Sequence, residues 1–493
     1  MNENDLKILL KNSAPLMVLE TYDEVRAIDL MSSFFRNTNQ PAWCWSLTEG
    51  LQALGFGLNL KDPEGYSEPE ALLQYIKNYR KPAVFVLCDF HHHLEEPKTI
   101  RYLKDIALAK SQSRQRIIFV SHQLRLPEEL SRYAVSIPVS VPSDKEIMAI
   151  IREEARRWAL KNSYDKIKTD SESLEKLVSN LKGLPHQDVR RLAHGAIADD
   201  GAITEADLPE VTKAKFELMD MAGVLHYEFS TAHLRDVAGL NTLKKWLEDR
   251  RLAARSEIKD FKLEAPKGVL LFGVQGGGKS LAAKSIAGIW GLPLLRLDMA
   301  ALFNKFVGET ERNLRQALKL ADLMAPCVLW IDEIEKGMAG GAEDSGTSKR
   351  LLGTLLTWMA ERKGPVFMVA TSNDISKLPP ELIRKGRFDE IFFVDLPEQE
   401  VRVNIFRIHM EKRGLSSQHF DLNVLARATE GFTGAEIEQA VVSATYAAAA
   451  RGCDMDTELV LSTVRQTQPL SVVMAENIYE LRAWAAERAV KAN

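Results

Sequence analysis

The sequence predicts an α/β protein made of two tandem Rossmann-like modules of the P-loop type, each with a helical lid, the N-terminal module degenerate. Three observations carry this prediction. A glycine-rich loop joins a strand-like run to a helix-like run at residues 268–290. Apolar β-type runs alternate with helical stretches through both halves of the chain. Segments of the first half also match segments of the second, in the same order. The predicted organisation is a degenerate α/β domain without a phosphate loop over 1–142, a helical lid and connector over 143–215, a nucleotide-binding α/β domain over 216–397, a second helical lid over 398–465 and an amphipathic C-terminal helix over 466–493.

Composition bounds the function. The chain has 493 residues, 45% hydrophobic and 27% charged, which is ordinary globular material. Its net charge of -4 offers no basic excess for a phosphate backbone, so a nucleic-acid partner is disfavoured. Cys44, Cys88, Cys327 and Cys453 lack CxxC spacing, and reduced thiols are expected rather than a disulfide framework or zinc knuckle. The acidic start "MNENDLKILLKNSA" has no apolar core of a signal peptide, and no apolar run approaches the ~18 residues of a membrane span. A soluble, cytoplasmic protein is expected.

The sharpest chemical signal is "GVLLFGVQGGGKS", Gly268 to Ser280, followed by the helix-compatible "LAAKSIAGIW". In a Walker A loop of this kind the glycines let successive N–H groups turn onto phosphate oxygens, and the following helix adds the positive end of its dipole. Gly273, Val274, Gln275, Gly276, Gly277, Gly278, Lys279, Ser280 and Leu281 are therefore the expected cradle for ATP. Lys279 would reach the β/γ-phosphates and Ser280 would ligate Mg²⁺.

The next strand-like run, "CVLWIDEIEK", ends in Asp332-Glu333. An Asp at the C-terminal edge of a parallel strand lies beside the phosphate loop and can bind the Mg²⁺ shell, as in a Walker B motif; the adjacent Glu can polarise the attacking water as general base. A third run, "PVFMVATSN", delivers Asn373 to the same edge, where an amide can orient that water. Beyond it, Arg384 and Arg387 flank a Lys-Gly turn. Phosphoryl transfer concentrates negative charge on the γ-phosphate, and arginine fingers donated in trans by a neighbour would answer it.

From about His233 to Pro469 these motifs, in this order, resemble the AAA ATPases, in the subgroup carrying the second region of homology. The resemblance implies a ring, commonly a hexamer. It also places "LRDVAGL" on the adenine side, with Val237, Ala238 and Gly239 against the base; "IFRIH" on the lid helix, with Ile405 and His409; and "GFTGAEI" at the lid turn, with Gly434 and Ala435. The loop departs from the family's GPPGTGKT: this one reads GVQGGGKS, without the prolines, which raises the entropy of the free loop while removing no phosphate donor. In the family an aromatic–apolar–Gly turn between the two nucleotide motifs projects into the pore and grips a polypeptide; Lys305, Phe306, Val307 and Gly308 fit that pattern, with a Phe306 buried in its own subunit as the alternative. The stretch "GMAGGAEDSGTS", 337–348, reads as a mobile loop.

In the first half, "VFVLCDFHHHL" aligns with "CVLWIDEIEKG", putting Asp89 opposite Asp332 and Phe90 opposite the catalytic Glu. "FVSHQLRLPEELSR" aligns with "ATSNDISKLPPELIR", putting Arg132 opposite Arg384. Where a phosphate loop belongs the chain reads "LETYDEVRAIDL", with Glu20, Asp23 and Glu24. Carboxylates there repel a triphosphate, and non-glycine residues resist the tight turn. This half is expected not to hydrolyse ATP. Adjacent strand residues face opposite ways, so His91, His92 and His93 cannot converge on one ion within a strand; they read as loop histidines, with a metal site involving Asp89 and Cys88 as the alternative. The degenerate first copy, single active module and helical tail together resemble a family of conserved reading frames of algal plastids and related bacteria.

Three functional readings remain open at this stage. One is a ring that hydrolyses ATP and remodels a protein gripped by Phe306. Another is a slow ATP-dependent switch acting through the first half. The third, a nucleic-acid remodeller, is disfavoured because Lys305 is the sole cation of the expected pore turn.

Overall fold

The computed structural model describes residues 14–38, 40–54, 66–109, 115–122, 124–138, 141–162, 167–198, 200–219, 224–229, 236–254, 264–299, 302, 309–338, 345–362, 364–384 and 386–493. The chain divides into two compact units, Met1–Leu208 and Pro209–Asn493. The expected pore turn, Lys305 to Gly308, lies outside the described residues.

Unit 1 is built on a six-stranded sheet. Its strands are β1 (Leu16–Glu20), β2 (Ala42–Ser46), β3 (Gly50–Ala53), β4 (Ala83–Cys88), β5 (Gln115–Ser121) and β6 (Ala134–Pro138), and helix α1 (Glu24–Thr38) follows β1. Every residue of β4 is buried, which marks a strand covered on both faces. Strand alternation sorts the side chains into two cores: Leu16, Val18, Phe85, Leu87, Ile117 and Phe119 on one face, Met17, Leu19, Val84, Val86, Ile118 and Val120 on the other. The lid-like remainder contains α2 (Asp144–Lys161), the helices Ser171–Leu181 and His186–Ala198, and the paired two-residue strands β7 (Lys168–Thr169) and β8 (Ala202–Ile203). The backbone N–H of Ser143 donates to the Glu146 carboxylate at 2.8 Å and so fixes the start of α2.

Unit 2 has a seven-stranded sheet. Its elements are β9 (Leu225–Glu228), β10 (Gly268–Gly273), α3 (Lys279–Trp290), β11 (Leu294–Asp298), β12 (Cys327–Asp332), α4 (Ser345–Glu361), β13 (Val366–Ser372) and β14 (Glu390–Val394). The lid comprises α5 (Gln399–Glu411), the helix Leu422–Ala428, α6 (Gly434–Arg451) and the helix Thr457–Arg465, around a core of Phe406, Met410, Leu425, Phe432, Ile437 and Val460. Beyond it lie the short helix Leu470–Val473, then α7 (Ala475–Arg488) and β15 (Val490–Lys491). Alternation again gives two cores, with Leu270, Phe272, Leu329, Ile331 and Met368 on one face and Val269, Leu271, Val328, Trp330 and Val369 on the other. Trp290, fully buried at the end of α3, donates its Nε1–H to the Leu247 carbonyl at 3.0 Å, so its indole carries no unmet polar group into the core.

The two sheets share one strand order. In unit 1 it runs β6-β1-β5-β4-β2, and in unit 2 β14-β10-β13-β12-β11, each run wholly parallel. Each also carries an antiparallel edge strand, β3 on β2 and β9 on β11. These short edges escape the sequence pattern because four residues are too few to establish a period of two.

Two expectations are corrected here. The tail is not helical to its end: α7 stops at Arg488 and the chain adds β15 to β14 in parallel. The helix is held by Trp484 edge-on to Phe272 at 5.0 Å and by Arg482 forked onto Asp395 at 2.9–3.1 Å. The stretch 337–348 is not a loop throughout, since Gly337 belongs to the helix Ile334–Met338 and Ser345 begins α4. Residues 339–344 lie outside the described part.

Candidate nucleotide site

The site forms at the C-terminal ends of β10, β12 and β13, where a doubly wound sheet opens a crevice. Gly273 ends β10 at φ 146°, and a Cβ there would sit 2.0 Å from the Val394 carbonyl oxygen. Only glycine fits, and the close approach is sealed by Val274 N–H to the Val394 carbonyl at 3.1 Å. Gly278, at φ 100°, turns the chain into α3. The first intrahelical bond is Ala282 N–H to the Gly278 carbonyl, 2.8 Å, so the amides of Lys279, Ser280 and Leu281 precede the helical ladder and are available to an anion.

Lys279 is 6% exposed, and its Nζ donates to the carbonyls of Gly273 and Val274 at 3.0 and 2.9 Å. Burial lowers its pKa to about 8, opposed by the charges of Glu335, Asp332 and Glu333. Ser280 and Leu281 are exposed beside it, as are Gln275 and Gly276; Gly277 is half-buried.

Asp332 closes β12. Its Oδ1 accepts from the Thr371 hydroxyl at 2.6 Å, and its Oδ2 accepts from Arg296 at 3.3 Å. Glu333 then takes the left-handed region, φ 48°, a conformation costing roughly 1–2 kcal/mol for a residue with a Cβ. That turn is held by Glu333 N–H to Thr371 Oγ1 at 3.1 Å, and it presents the carboxylate to Asn373, whose Nδ2 donates to Glu333 Oε1 at 3.1 Å. The other oxygen pairs with the exposed Lys336 at 2.5 Å. The Asn373 N–H donates to the buried Glu335 at 3.0 Å.

The lid closes on the loop. Ala435 N–H donates to the Gly276 carbonyl at 3.4 Å, and a Cβ on Gly434 would lie 3.7 Å from both that oxygen and Ile405 Cδ1. Thr433 caps α6 through the Glu436 N–H at 3.3 Å, and a Cβ on Gly276 would lie 3.0 Å from its hydroxyl. On α5, Val401, Ile405 and His409 recur at a spacing of four and so share one face. Val401 approaches Gly239, where a Cβ would meet its Cγ1 at 3.0 Å. Gly239 has φ 68°, Val237 is buried and Ala238 half-buried. The Val237 carbonyl accepts from Lys244 at 2.6 Å. Burial holds His409 below the ordinary histidine pKa, with Glu438 opposing at 3.4 Å.

Two expected residues stand apart. Arg384 is exposed where the helix Pro380–Ile383 ends, and Arg387 donates to the Leu356 carbonyl at 2.8 Å. Among the described residues no bond joins either to Glu333 or Lys279 of the same chain. Sequence reasoning missed Thr371, Glu335 and Arg296. Thr371 stands two residues before Asn373 and Glu335 two after Glu333, so the signal existed in the spacing of the motifs already found. Arg296 gave none, because its role depends on β11 lying beside β12.

The equivalent strand ends of unit 1 correct the repeat alignment by one residue. Ser121 and Ser372 end β5 and β13 and lie beside β1 and β10, opposite Glu20 and Phe272, so Val120 matches Thr371; Cys88 pairs with Val120, whereas Ile331 pairs with Ala370, one residue before Thr371. Cys88 thus holds the place of Asp332, and Asp89, not Phe90, holds that of Glu333. The backbone agrees, with Asp89 at φ 50°. Adjacent carboxylates at 332 and 333 had made the match of letters ambiguous. His122 holds the place of Asn373, and Arg132 that of Arg384, each arginine ending a one-turn helix. At the first loop three residues, 21–23, stand against five, 274–278, and Glu24 opens α1 where Lys279 opens α3.

Residues 269–396 match the ATPase family associated with various cellular activities (AAA), and residues 419–461 match the AAA+ lid domain. Residues 2–139 and 145–222 match the N-terminal and second domains of SpoVK-like AAA ATPases. The chain belongs to the AAA ATPases. Along almost its whole length it is similar to the AAA domain-containing protein ycf46 of Guillardia theta, 36% identical over 98% of this chain and 94% of the relative, and to ycf46 of Pyropia yezoensis, 36% identical over 98% and 97%. A shorter similarity reaches the proteasome-activating nucleotidase of Aeropyrum pernix, 38% identical over 40% of this chain and 49% of that protein. Among the described residues no helix is long and apolar enough to cross a membrane.

Proposed function

We propose that unit 2 binds ATP with Mg²⁺ and hydrolyses it, and that assembled copies use the turnover to remodel a protein. The observation that carries this reading is the Glu333–Asn373 pair, held at 3.1 Å by a left-handed turn one residue beyond Asp332. A carboxylate so placed accepts a proton from water while the amide orients that water toward the γ-phosphate. Lys279 and the first amides of α3 receive the phosphates. Asp332 and Ser280 offer hard oxygen donors that suit Mg²⁺, which supplies charge neutralisation at the phosphates when bound. Val237 to Gly239, Ile405 and His409 enclose the base, and Gly434 with Ala435 couples the lid to the loop.

Arg384 and Arg387 act as arginine fingers on a neighbouring copy in a ring, commonly a hexamer among such ATPases. Arg384, exposed where the helix Pro380–Ile383 ends, is accessible to a neighbouring copy, which supports action in trans. Phe306 grips the protein substrate. Unit 1 is a degenerate copy of the same module; the shared strand order and the exchange of Lys279 for Glu24 support that reading. Burial and the nearby Asp89 charge hold Glu24 above the usual carboxylate range, and either charge state offers a phosphate no cation. A cytoplasmic location accompanies this proposal.

The test is phosphate release beside nucleotide binding in Glu333→Gln. Turnover should fall by about 10²-fold or more while ATP stays bound, since the binding groups persist and the base is lost. Unchanged turnover removes Glu333 from the role. Addition of an unfolded polypeptide should stimulate the wild type, and Phe306→Ala should lose that stimulation.

A further inference from the structure

We propose that Asp89, His91 and His122 form a binding site for one divalent transition-metal ion of the zinc or cobalt class at the strand ends of unit 1. One ligating atom from each lies within 4.8 Å of the others. Two imidazoles and a carboxylate are a borderline donor set that selects Zn²⁺ or Co²⁺ over Mg²⁺ or Ca²⁺, which prefer oxygen alone. Metal–ligand distances of ~2.0–2.2 Å bring donors to about 3.4 Å from one another in a tetrahedral site, and side-chain rotation at the exposed Asp89 and His122 supplies the closure.

Each ligand is placed by an element that the rest of unit 1 fixes. Asp89 occupies a left-handed turn, φ 50° and ψ 26°, with its N–H on the Val120 carbonyl at 2.9 Å. His91 lies in the short 3-10 turn Phe90–His93, anchored by the fully buried Phe90, which packs on Trp45 at 5.4 Å and Phe119 at 5.9 Å. His91 Nδ1 stands 3.8 Å from Asp89 Oδ1, and Ser121 Oγ, 2.8 Å from the same nitrogen, holds the ring beside that carboxylate. His122 follows directly at the end of β5, its ring 5.1 Å from that of His91. Three protein ligands with exposed members leave a position for water or a partner group.

The histidine run therefore divides. His93 packs on Phe90 and Trp45, at 5.5 and 6.3 Å, and His92 stacks beside His91 at 3.9 Å without joining the ligand group. The second imidazole of this group, His122, follows β5 and lies outside the histidine run. The positions are also telling: Asp89 and His122 stand where unit 2 has Glu333 and Asn373. The turn that aims a base at water in unit 2 aims a ligand at a histidine pair in unit 1. This inference rests on unit 1 alone and survives failure of the ATPase reading.

The test uses the full chain, stripped with EDTA and dialysed, without nucleotide. Co²⁺ is titrated by visible absorption, and Zn²⁺ by competition with a chromophoric chelator. One equivalent should bind per chain, giving Co²⁺ d–d bands of a nitrogen–oxygen site. His91→Ala and His122→Ala should each weaken binding at least about tenfold, and the double variant should abolish it, while His92→Ala binds as the wild type does. Circular dichroism of the stripped variants checks that they fold, and Zn²⁺ should raise the melting temperature of the wild type but not of the double variant. No stoichiometric binding by wild type, equal binding by the double variant, or loss of binding in His92→Ala overturns the assignment.

Discussion

In both units the chain leaves a central strand, β4 or β12, through a non-glycine residue in the left-handed region, Asp89 at φ 50° and Glu333 at φ 48°. Around that shared turn several side chains differ, although a carboxylate, Asp89 or Glu333, and a serine, Ser121 or Ser372, are common to both units. Asp332 is replaced by Cys88, whose thiol is pushed up by its hydrogen bond to Cys44 and by burial. Thr371 is replaced by Val120, Asn373 by His122, and Lys279 by Glu24. The backbone turn is common to both units, while unit 1 carries Glu24 and Cys88 where unit 2 carries Lys279 and Asp332. The scaffold is specified by apolar alternation and loop geometry, and the site by a few polar residues that can be exchanged without disturbing the core.

Paired substitutions sharpen this contrast. The largest effect is expected at Arg384: Arg384→Ala should lower turnover about 10³-fold, whereas Arg132→Ala at the corresponding place should leave it unchanged. Mixing Arg384→Ala with Lys279→Ala chains should recover part of the hydrolysis, because each supplies what the other lacks; no recovery at any ratio argues against action in trans. Next, Lys279→Ala should weaken ATP binding by about 10–100-fold, the loss of a charged hydrogen bond, while Glu24→Gln leaves affinity as it was. Calorimetric titration of both variants checks this.

A smaller effect is expected when unit 2 is given the residue of unit 1. Thr371→Val removes the hydroxyl that serves both Asp332 Oδ1 and the Glu333 N–H, and should cost about 1–3 kcal/mol of stability with a several-fold loss of turnover. Denaturant unfolding beside phosphate release reads both; a neutral result would mean that Thr371 does not hold the turn.

The smallest effect is on pH dependence. Lys279 titrates at about 8 in the folded chain, below its unfolded value of about 10.5, so the unfolded chain binds the extra proton between these limits and this residue's contribution to stability rises with pH across that window. A phosphate prefers the ammonium form. ATP affinity should therefore fall as pH rises above about 8, with proton uptake on binding, and Lys279→Arg should flatten the profile.

Central parallel strands such as β4, "AVFVLC", and β12, "CVLWID", were legible in the sequence as apolar runs, whereas β11, "LLRLD", is interrupted by Arg296 and was not. The phosphate loop was legible because its glycines are demanded by contacts such as the one Gly273 makes with Val394. What escaped depends on neighbours in space. Arg296 reaches Asp332 from the adjacent strand, β15 is a strand only because β14 offers an edge, and His122 joins His91 through the pairing of β4 with β5. One-residue register was also beyond the sequence, since the letters at Asp89 matched Asp332 while the backbone turn matches Glu333.

The central claim is that one nucleotide is held per chain, in unit 2. Equilibrium dialysis with a labelled non-hydrolysable ATP analogue and Mg²⁺ measures it directly. The account predicts one analogue bound per wild-type chain and, at the same concentration, a small fraction of that in Lys279→Ala. Two bound per chain, or undiminished binding after Lys279 is removed, would contradict it.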